Sequence, residues 1–355
     1  MRPSTRGLFA LCLALVIAAC GSDKGPAPAV EAKPKSLTIV AYDSFSFKAD
    51  AFAEFTQNTG IAVKIVKAGD AGTMLSKAQL TAGNPEGDVM WGVDNTLLSR
   101  AIGATVFSAY KSPELPELAA DATALIVDDL VTPVDEGDVC LNYDVGWFAD
   151  RKLAVPNTLD DLAKPEYKDL LVVENPATSS TGLAFLLGTI VHSGRDGWAP
   201  YWSSLRANGV LVVDSWDAAY YEQFSASSGK GPRPLVVSYG SSPPAEVIFA
   251  DPRPTEAPTG VIEATCFHQV EFAGVLRGTK SPNFAGRLID YMVGKTFQEQ
   301  LPLTLFVYPA RTEAALPPEF IDFTVRPAKP LTMQPGAIEA GAKDWISTWT
   351  DLVIR

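Results

Sequence analysis

From residue 37 onward the chain alternates short β-rich runs with helical patterns, and most of these runs end in a polar turn. This alternation limits the accessible folds more than any other feature, because strands joined by helices lie parallel in one sheet with the helices on its faces. Leu37–Tyr42 and Ile61–Val66 read as strands. Between them, residues 47–58 place Phe47, Ala51, Phe52 and Phe55 at helical spacing, and Gly60 stands just beyond as a stop. Met74–Leu80 reads as a helix, Asp88–Val93 as a third strand, and LLSRAIG (97–103) as a helix again. In such sheets ligands sit beyond the carboxyl ends of the strands, and Asp43, Asp70 and Asp94 fall near those ends. Asp also caps helices without any ligand, so both roles stand open for each.

A second region, about 141–265, follows the same order. Leu171–Val173 is a strand, and the turn NPATSSTG (175–182) opens an apolar helical run, LAFLLGTIV. Hydroxyls and free N–H groups at a helix start suit an anion, phosphate above all, although Ser and Thr also serve as plain caps. Gly209–Val213 is a strand leading to Asp214-Ser215-Trp216, residues 217–224 look helical, and the strand Leu235–Tyr239 ends in Gly240-Ser241-Ser242-Pro243. The two regions share no visible sequence repeat. Two β-like stretches, 137–143 and 265–272, look like crossings between them, and helical patterns return at 282–293, 296–300 and in WISTWTDLVI near the end. The expected architecture is therefore α/β and two-lobed. Residues 37–138 and 270–355 form the first lobe, 139–269 the second, and two crossing strands make the hinge.

The N-terminus looks like an address. Arg2 and Arg6 precede an apolar stretch, Leu8–Ile17, that is too short to span a bilayer, and Ile17-Ala18-Ala19-Cys20 closes it. This resembles the bacterial lipoprotein signal: residues 1–19 are removed and Cys20 takes a diacylglycerol. An ordinary secretory signal with an incidental Cys is the alternative. Residues 20–36 then form a solvated tether rich in Pro, Ala, Gly and Lys. No later run of 18 apolar residues follows, so the chain is not itself a permease. The net charge of −12 argues against nucleic acid and tolerates a cationic ligand. Cys140 and Cys266 remain after Cys20 is lipidated, and each lies in one of the crossing stretches. Strands side by side in a hinge are within disulfide reach, and an exported chain meets an oxidising compartment. Two separate buried thiols are the other possibility.

Catalytic signatures are missing. There is no G-x-x-x-x-G-K-[ST], no G-x-S-x-G, no H-E-x-x-H and no Cys-x-x-Cys. The two histidines, His192 and His268, are too few for a His-built metal site, and His192 sits where a helix seems to end. A binding protein without cofactor or metal is the expectation.

The runs AYDSF (41–45), GDVMWGVDN (87–95), NPATSSTGL (175–183), Trp216 with VVSYGSSP (236–243), and QVEFA (269–273) occur in an order that resembles the thiamine-binding proteins of bacterial ABC importers. These belong to the type II periplasmic solute-binding superfamily, and the likeness spans about 37–350. It implies a cleft for thiamine, thiamine phosphate or thiamine diphosphate, delivery to permease subunits, and a monomer tied to the membrane by its lipid. It implies ligand contacts from Tyr42, Asp43, Asp70 and Ala71 in the first lobe, and from Ser179, Ser180, Trp216, Tyr239, Gly240, Ser241 and Ser242 in the second. Ser180, Ser215 and Gly240 depart from the family's Thr, Gly and Thr, and Phe306 stands before Tyr308-Pro309 where the family has Trp. The chemistry agrees: aromatic faces attract a thiazolium cation by about 2 kcal/mol when desolvated, and carboxylates supply opposite charge.

Three other readings compete. Adjacent Tyr220-Tyr221 resembles the phenolate pair of ferric-binding proteins in the same superfamily, although adjacent residues on a helix do not share a face. An exported hydrolase would need a nucleophile–base pair, which the sequence does not offer. A purely structural lipoprotein would not need so many polar turns at strand ends.

Overall fold

The computed structural model describes residues 31–355; the expected signal (1–19), the expected lipidation of Cys20 and the expected tether as far as residue 30 lie outside the described residues. Ten strands form one curled sheet: β1 (Ser36–Ala41), β2 (Ala62–Lys67), β3 (Val89–Asp94), β4 (Phe107–Ser108), β5 (Thr132–Asp144), β6 (Leu171–Glu174), β7 (Leu211–Val213), β8 (Leu235–Tyr239), β9 (Thr259–Leu276) and β10 (Tyr308–Pro309). The strand order is β2-β1-β3-β9-β5-β8-β6-β7, with β4 on β9 and β10 on β5. The order is symmetric about its middle. In one half the parallel trio β2-β1-β3 ends against antiparallel β9, and in the other β7-β6-β8 ends against antiparallel β5. Two lobes of the same plan thus meet at β5 and β9, which pair antiparallel from Thr132↔Ala273 to Asp144↔Thr259. The two-lobed α/β layout with two crossing strands is what the topology builds.

Local sequence explains the strands. β3 is VMWGVD, buried at every position, as expected of a strand covered on both faces. The first lobe packs an aromatic core behind it, where Phe45 lies 5.3 Å from Trp91 and Trp91 lies 6.1 Å from Phe297. All three are fully buried, each contributing on the order of 2–3 kcal/mol against exposure. In the second lobe the helix Ser180–Ala207, bent at Gly194, sends Phe185 and Trp202 into the core. Trp349 of the C-terminal helix Pro335–Trp349 packs edge-on against Trp202 at 5.3 Å. This C-terminal helix also lies against the first-lobe helix Leu98–Gly103, so the chain's end touches both halves. Among the described residues no helix is long and apolar enough to cross a membrane.

The expected bridge is present: Cys140 on β5 and Cys266 on β9 are disulfide-bonded, with Cα atoms 4.1 Å apart. The register shifts between Val139 and Leu141 on β5, so the bridge sits at an irregularity in the hinge ladder.

Candidate functional site

A cavity of about 270 Å³ opens between the lobes, at the small end of ordinary ligand pockets of roughly 300–1,000 Å³. The first lobe contributes Tyr42, Ser44 and Ser46 after β1, and Asp70 and Ala71 after β2. The second contributes Ser180 and Thr181 at a helix start, Trp216, Tyr220 and Tyr221 after β7, and Tyr239 and Ser242 at the end of β8. Glu271 rises from the hinge strand β9, and Phe306 closes the rim with Phe249 at 5.7 Å. Among the described residues, no Lys, Arg or His lines the cavity.

Backbone chemistry sets the wall. Gly92 of β3 sits at φ 112°, and a Cβ there would lie 2.3 Å from the Tyr42 ring. Glycine thus lets the strand bulge and lets Tyr42 press against it. The Tyr42 hydroxyl donates to Glu271 Oε2 at 3.3 Å. Across the cavity Trp216 stacks on Tyr220, with ring centroids 4.9 Å apart and planes 13° apart. Its indole N–H donates to Ser238 Oγ at 3.0 Å, and Ser238 Oγ is bonded to Ser242 Oγ. Ser242 therefore acts through the ring's anchor as well as lining the space.

Bonds between the lobes lie at the cavity's edge. Trp216 N donates to Asp70 Oδ2 at 2.8 Å, Thr73 N donates to Thr178 O at 3.1 Å, and Ser241 Oγ donates to Phe306 O at 2.6 Å. Gly72 permits the second of these, since a Cβ there would lie 2.7 Å from Thr178 O. Asp70 also takes the N–H of Ala71 on Oδ1 at 2.6 Å, opening the helix Ala71–Leu80. Burial pushes its carboxyl up to about 6 despite these donors.

The structure thus brings Tyr42, Asp70, Ala71, Ser180, Trp216, Tyr239 and Ser242 to one space. It does not bring Asp43, Asp94, Ser179, Gly240 or Ser241 there. Asp43 turns outward and accepts Gly69 N. Asp94 is fully buried as a cap, taking Thr96 N, Thr96 Oγ1 and Leu97 N on one oxygen and Gln269 on the other. Ser179 is the N-cap of the helix Ser180–Ala207. Gly240 is held by Val325, whose N–H donates to its carbonyl, and Ser241 is committed to Phe306. Phe306 does line the cleft, at the place where the resemblance has Trp.

Glu271, Thr181, Tyr220 and Tyr221 were not singled out for this wall by sequence. For Glu271 the signal existed: a charged residue inside the apolar alternation VEFAGV is exceptional in a central strand. Tyr220 is buried and stacked on Trp216, its ring turned 88° from that of Tyr221, and burial pushes its phenol up. Among the described residues, the grouped His and carboxylate side chains within metal-ligating reach are Asp121, Glu136 and His268, none of which lines the cavity.

Residues 87–322 match the family model described as bacterial extracellular solute-binding protein. The thiamine-binding periplasmic protein of Salmonella typhimurium is 30% identical over 91% of this chain and 95% of its own length. Its counterpart in Brucella melitensis is 26% identical over 92% of this chain and 94% of its own length. A solved periplasmic thiamin binding protein superposes with a TM-score of 0.77 at 26% identity, covering 90% of this chain and 96% of that one. Iron-bound HitA from Pseudomonas aeruginosa shares the fold, with a TM-score of 0.68 at 18% identity over 90% of this chain and 99% of that one. The chain belongs to the bacterial extracellular solute-binding proteins.

Proposed function

We propose that this protein captures thiamine, and its mono- and diphosphate, in the interlobe cavity and delivers it to the permease subunits of an ABC importer. One observation carries the reading: the cavity sets aromatic faces from both lobes around acidic side chains, and no basic side chain among the described residues lines it. That is the wall a flat organic cation needs, with attraction of about 2 kcal/mol per well-placed desolvated ring. The relatives named for thiamine binding support it. In this reading Trp216, Tyr42 and Tyr239 stack on the two rings, Asp70 and Glu271 face the cation side, and Ser180 and Thr181 at the helix start take the hydroxyethyl or phosphate end. The lobes divide at 37–138 with 270–355 and at 139–269, with the C-terminal helix leaning on both. The chain works as a monomer outside the cytoplasm, anchored through a lipid on Cys20, and catalyses nothing. Neither nucleic acid nor a cofactor enters.

Titration calorimetry with thiamine, its phosphates, spermidine and ferric ion tests the assignment, beside mass spectrometry of ligand carried through purification. Saturable binding of a thiamine form is expected. Silence toward all thiamine forms with a response to another ligand overturns it, and an absorbance band with ferric ion would favour the tyrosine pair.

A further inference from the structure

Three carboxylates stand in one row across the middle of the sheet. Asp94 on β3 is opposite Glu271 on β9, and Glu271 is opposite Asp135 on β5. Directly opposed residues bring their Cβ atoms within about 5 Å on one face of the sheet. All three are buried: Asp94 is 0%, Asp135 1% and Glu271 5% exposed.

The three differ in how they are satisfied. Asp94 is fully bonded by Thr96, Leu97 and Gln269. Glu271 takes the Tyr42 hydroxyl. Asp135 Oδ2 has no hydrogen-bond partner of sound geometry. The groups that face the pair come from the neighbouring strands: Tyr42 after β1, Trp91 and Asp94 on β3 and Tyr239 on β8, while Glu136, next along β5, points to the other face and meets Arg326 at 3.1 Å. None is a cation, and no Lys, Arg or His pairs with either carboxyl among the described residues. Two buried carboxyls side by side without a counter-ion cannot both ionise, so they retain a proton between them at neutral pH. Burial and mutual repulsion raise both. Of the row, only Glu271 opens onto the cavity. A buried acid pair of this kind lacks a positive charge, and the one open side faces the ligand.

We propose that Glu271, backed by Asp135, is the cation subsite of the cleft, and that an organic cation seated there displaces the proton the two carboxyls share. This rests on reading the cleft as a thiamine site. Thiamine's thiazolium charge is permanent, so the ligand brings no proton of its own to that ring. The charge balance is complete: one fixed positive charge enters, one proton leaves to buffer, and no covalent bond forms. The subsite selects charge rather than shape, and capture strengthens as pH rises while the pair is still protonated in the free protein.

The test is calorimetry of the full-length protein with thiamine, repeated in buffers of different ionisation enthalpy between pH 5.5 and 7.5. Release of about one proton per thiamine is expected, with affinity rising by up to about tenfold per pH unit. An uncharged thiophene analogue of thiamine should release none and bind on the order of 100-fold more weakly. Glu271→Gln should bring thiamine down to the analogue's affinity, abolish proton release and flatten the pH profile. Because it removes a buried acid without changing shape, its melting temperature should hold or rise. Asp135→Asn should reduce proton release while retaining the preference for the cation. Tight thiamine binding by the wild type without proton release and without pH dependence overturns the subsite and leaves the thiamine reading standing. Equal affinity for thiamine and its neutral analogue does the same. Silence toward every thiamine form overturns both.

Discussion

Replacing Asp70 with Ala removes two bonds to backbone N–H groups that act at different stages. Oδ1 holds the N–H of Ala71 at the start of the helix Ala71–Leu80, within the first lobe. Oδ2 holds Trp216 N at 2.8 Å, from the first lobe to the second. Loss of a helix cap costs about 1 kcal/mol whether or not ligand is bound. The bond to Trp216 exists only with the lobes together, and a charge-assisted bond of this kind is worth about 1.5–3 kcal/mol. Asp70→Ala should therefore melt a few degrees lower without ligand, and weaken thiamine by about 10–150-fold, mainly through faster release. Asp70→Asn keeps one acceptor oxygen for two N–H donors and should fall between. Melting curves, stopped-flow release and calorimetry read the two effects separately. If Asp70→Ala lowers the melting temperature but leaves affinity within twofold, the interlobe bond does not contribute to capture and the closure argument fails.

Trp216→Ala should weaken thiamine by about 1–3 kcal/mol, since one stacking face is lost from a wall that also holds Tyr220; unchanged affinity in a folded variant would make Trp216 mere packing. Cys140→Ser with Cys266→Ser opens a bridge between residues 126 apart and should cost about 2–5 kcal/mol in unfolding while affinity holds; a large affinity loss at intact stability would mean that the bridge sets the cavity's shape. Stability of the free protein should fall as pH rises from about 4 to 7. Asp70 and Asp94 are raised to about 6 and Asp135, Glu174 and Glu271 are raised by burial, so across this window the native state holds protons that the unfolded chain has released. A higher melting temperature at pH 5 than at pH 8 is the calorimetric sign, with thiamine protecting more at the higher pH; the opposite trend would contradict the buried acid row.

Local chemistry made the ordinary elements legible. β3 opens on the apolar run VMWGV before Asp94, and Gly60, at φ 69°, ends the helix Ala53–Thr59 as a glycine stop should. The hinge strands extend well beyond the β-like stretches 137–143 and 265–272. β5 runs 13 residues and β9 runs 18, and the further part of β5 contains Asp135 and Glu136. Acids in a strand read as loop unless their burial is known, and burial of Asp135 is created by β9, more than a hundred residues later. The same long-range pairing hid Glu271, which sat inside a recognised motif without a role. Of the three aspartates at strand ends, only Asp70 faces the cavity, because its second oxygen meets a lobe that folds from distant sequence. The apolar periodicity marks a helical run over 183–191 with an end near His192; the helix instead runs from Ser180 to Ala207, bent at Gly194, whose φ is 72°.

The placement of the acid row bears on how such a site can close without losing its charge. Tyr42 and Asp70 belong to the first lobe and Trp216 and Tyr239 to the second, so a rotation of the lobes separates these walls. Glu271 and Asp135 lie opposite each other on β9 and β5, the strands common to both lobes, where the ladder is long and Cys140–Cys266 clamps it farther along. A hinge motion that opens the aromatic walls leaves this carboxyl pair and its spacing nearly fixed. In the proposed reading the counter-charge would thus be preorganised in an open form and the stacking faces would arrive on closure, the order that lets a cation be selected before the lobes commit to it. Moving the acid to a lobe wall, as in Glu271→Gln combined with Thr181→Asp, keeps the cavity's nominal charge but makes it depend on closure. Association of thiamine should then slow while release changes less, and an association rate equal to the wild type's would show that preorganised charge has no part in recognition.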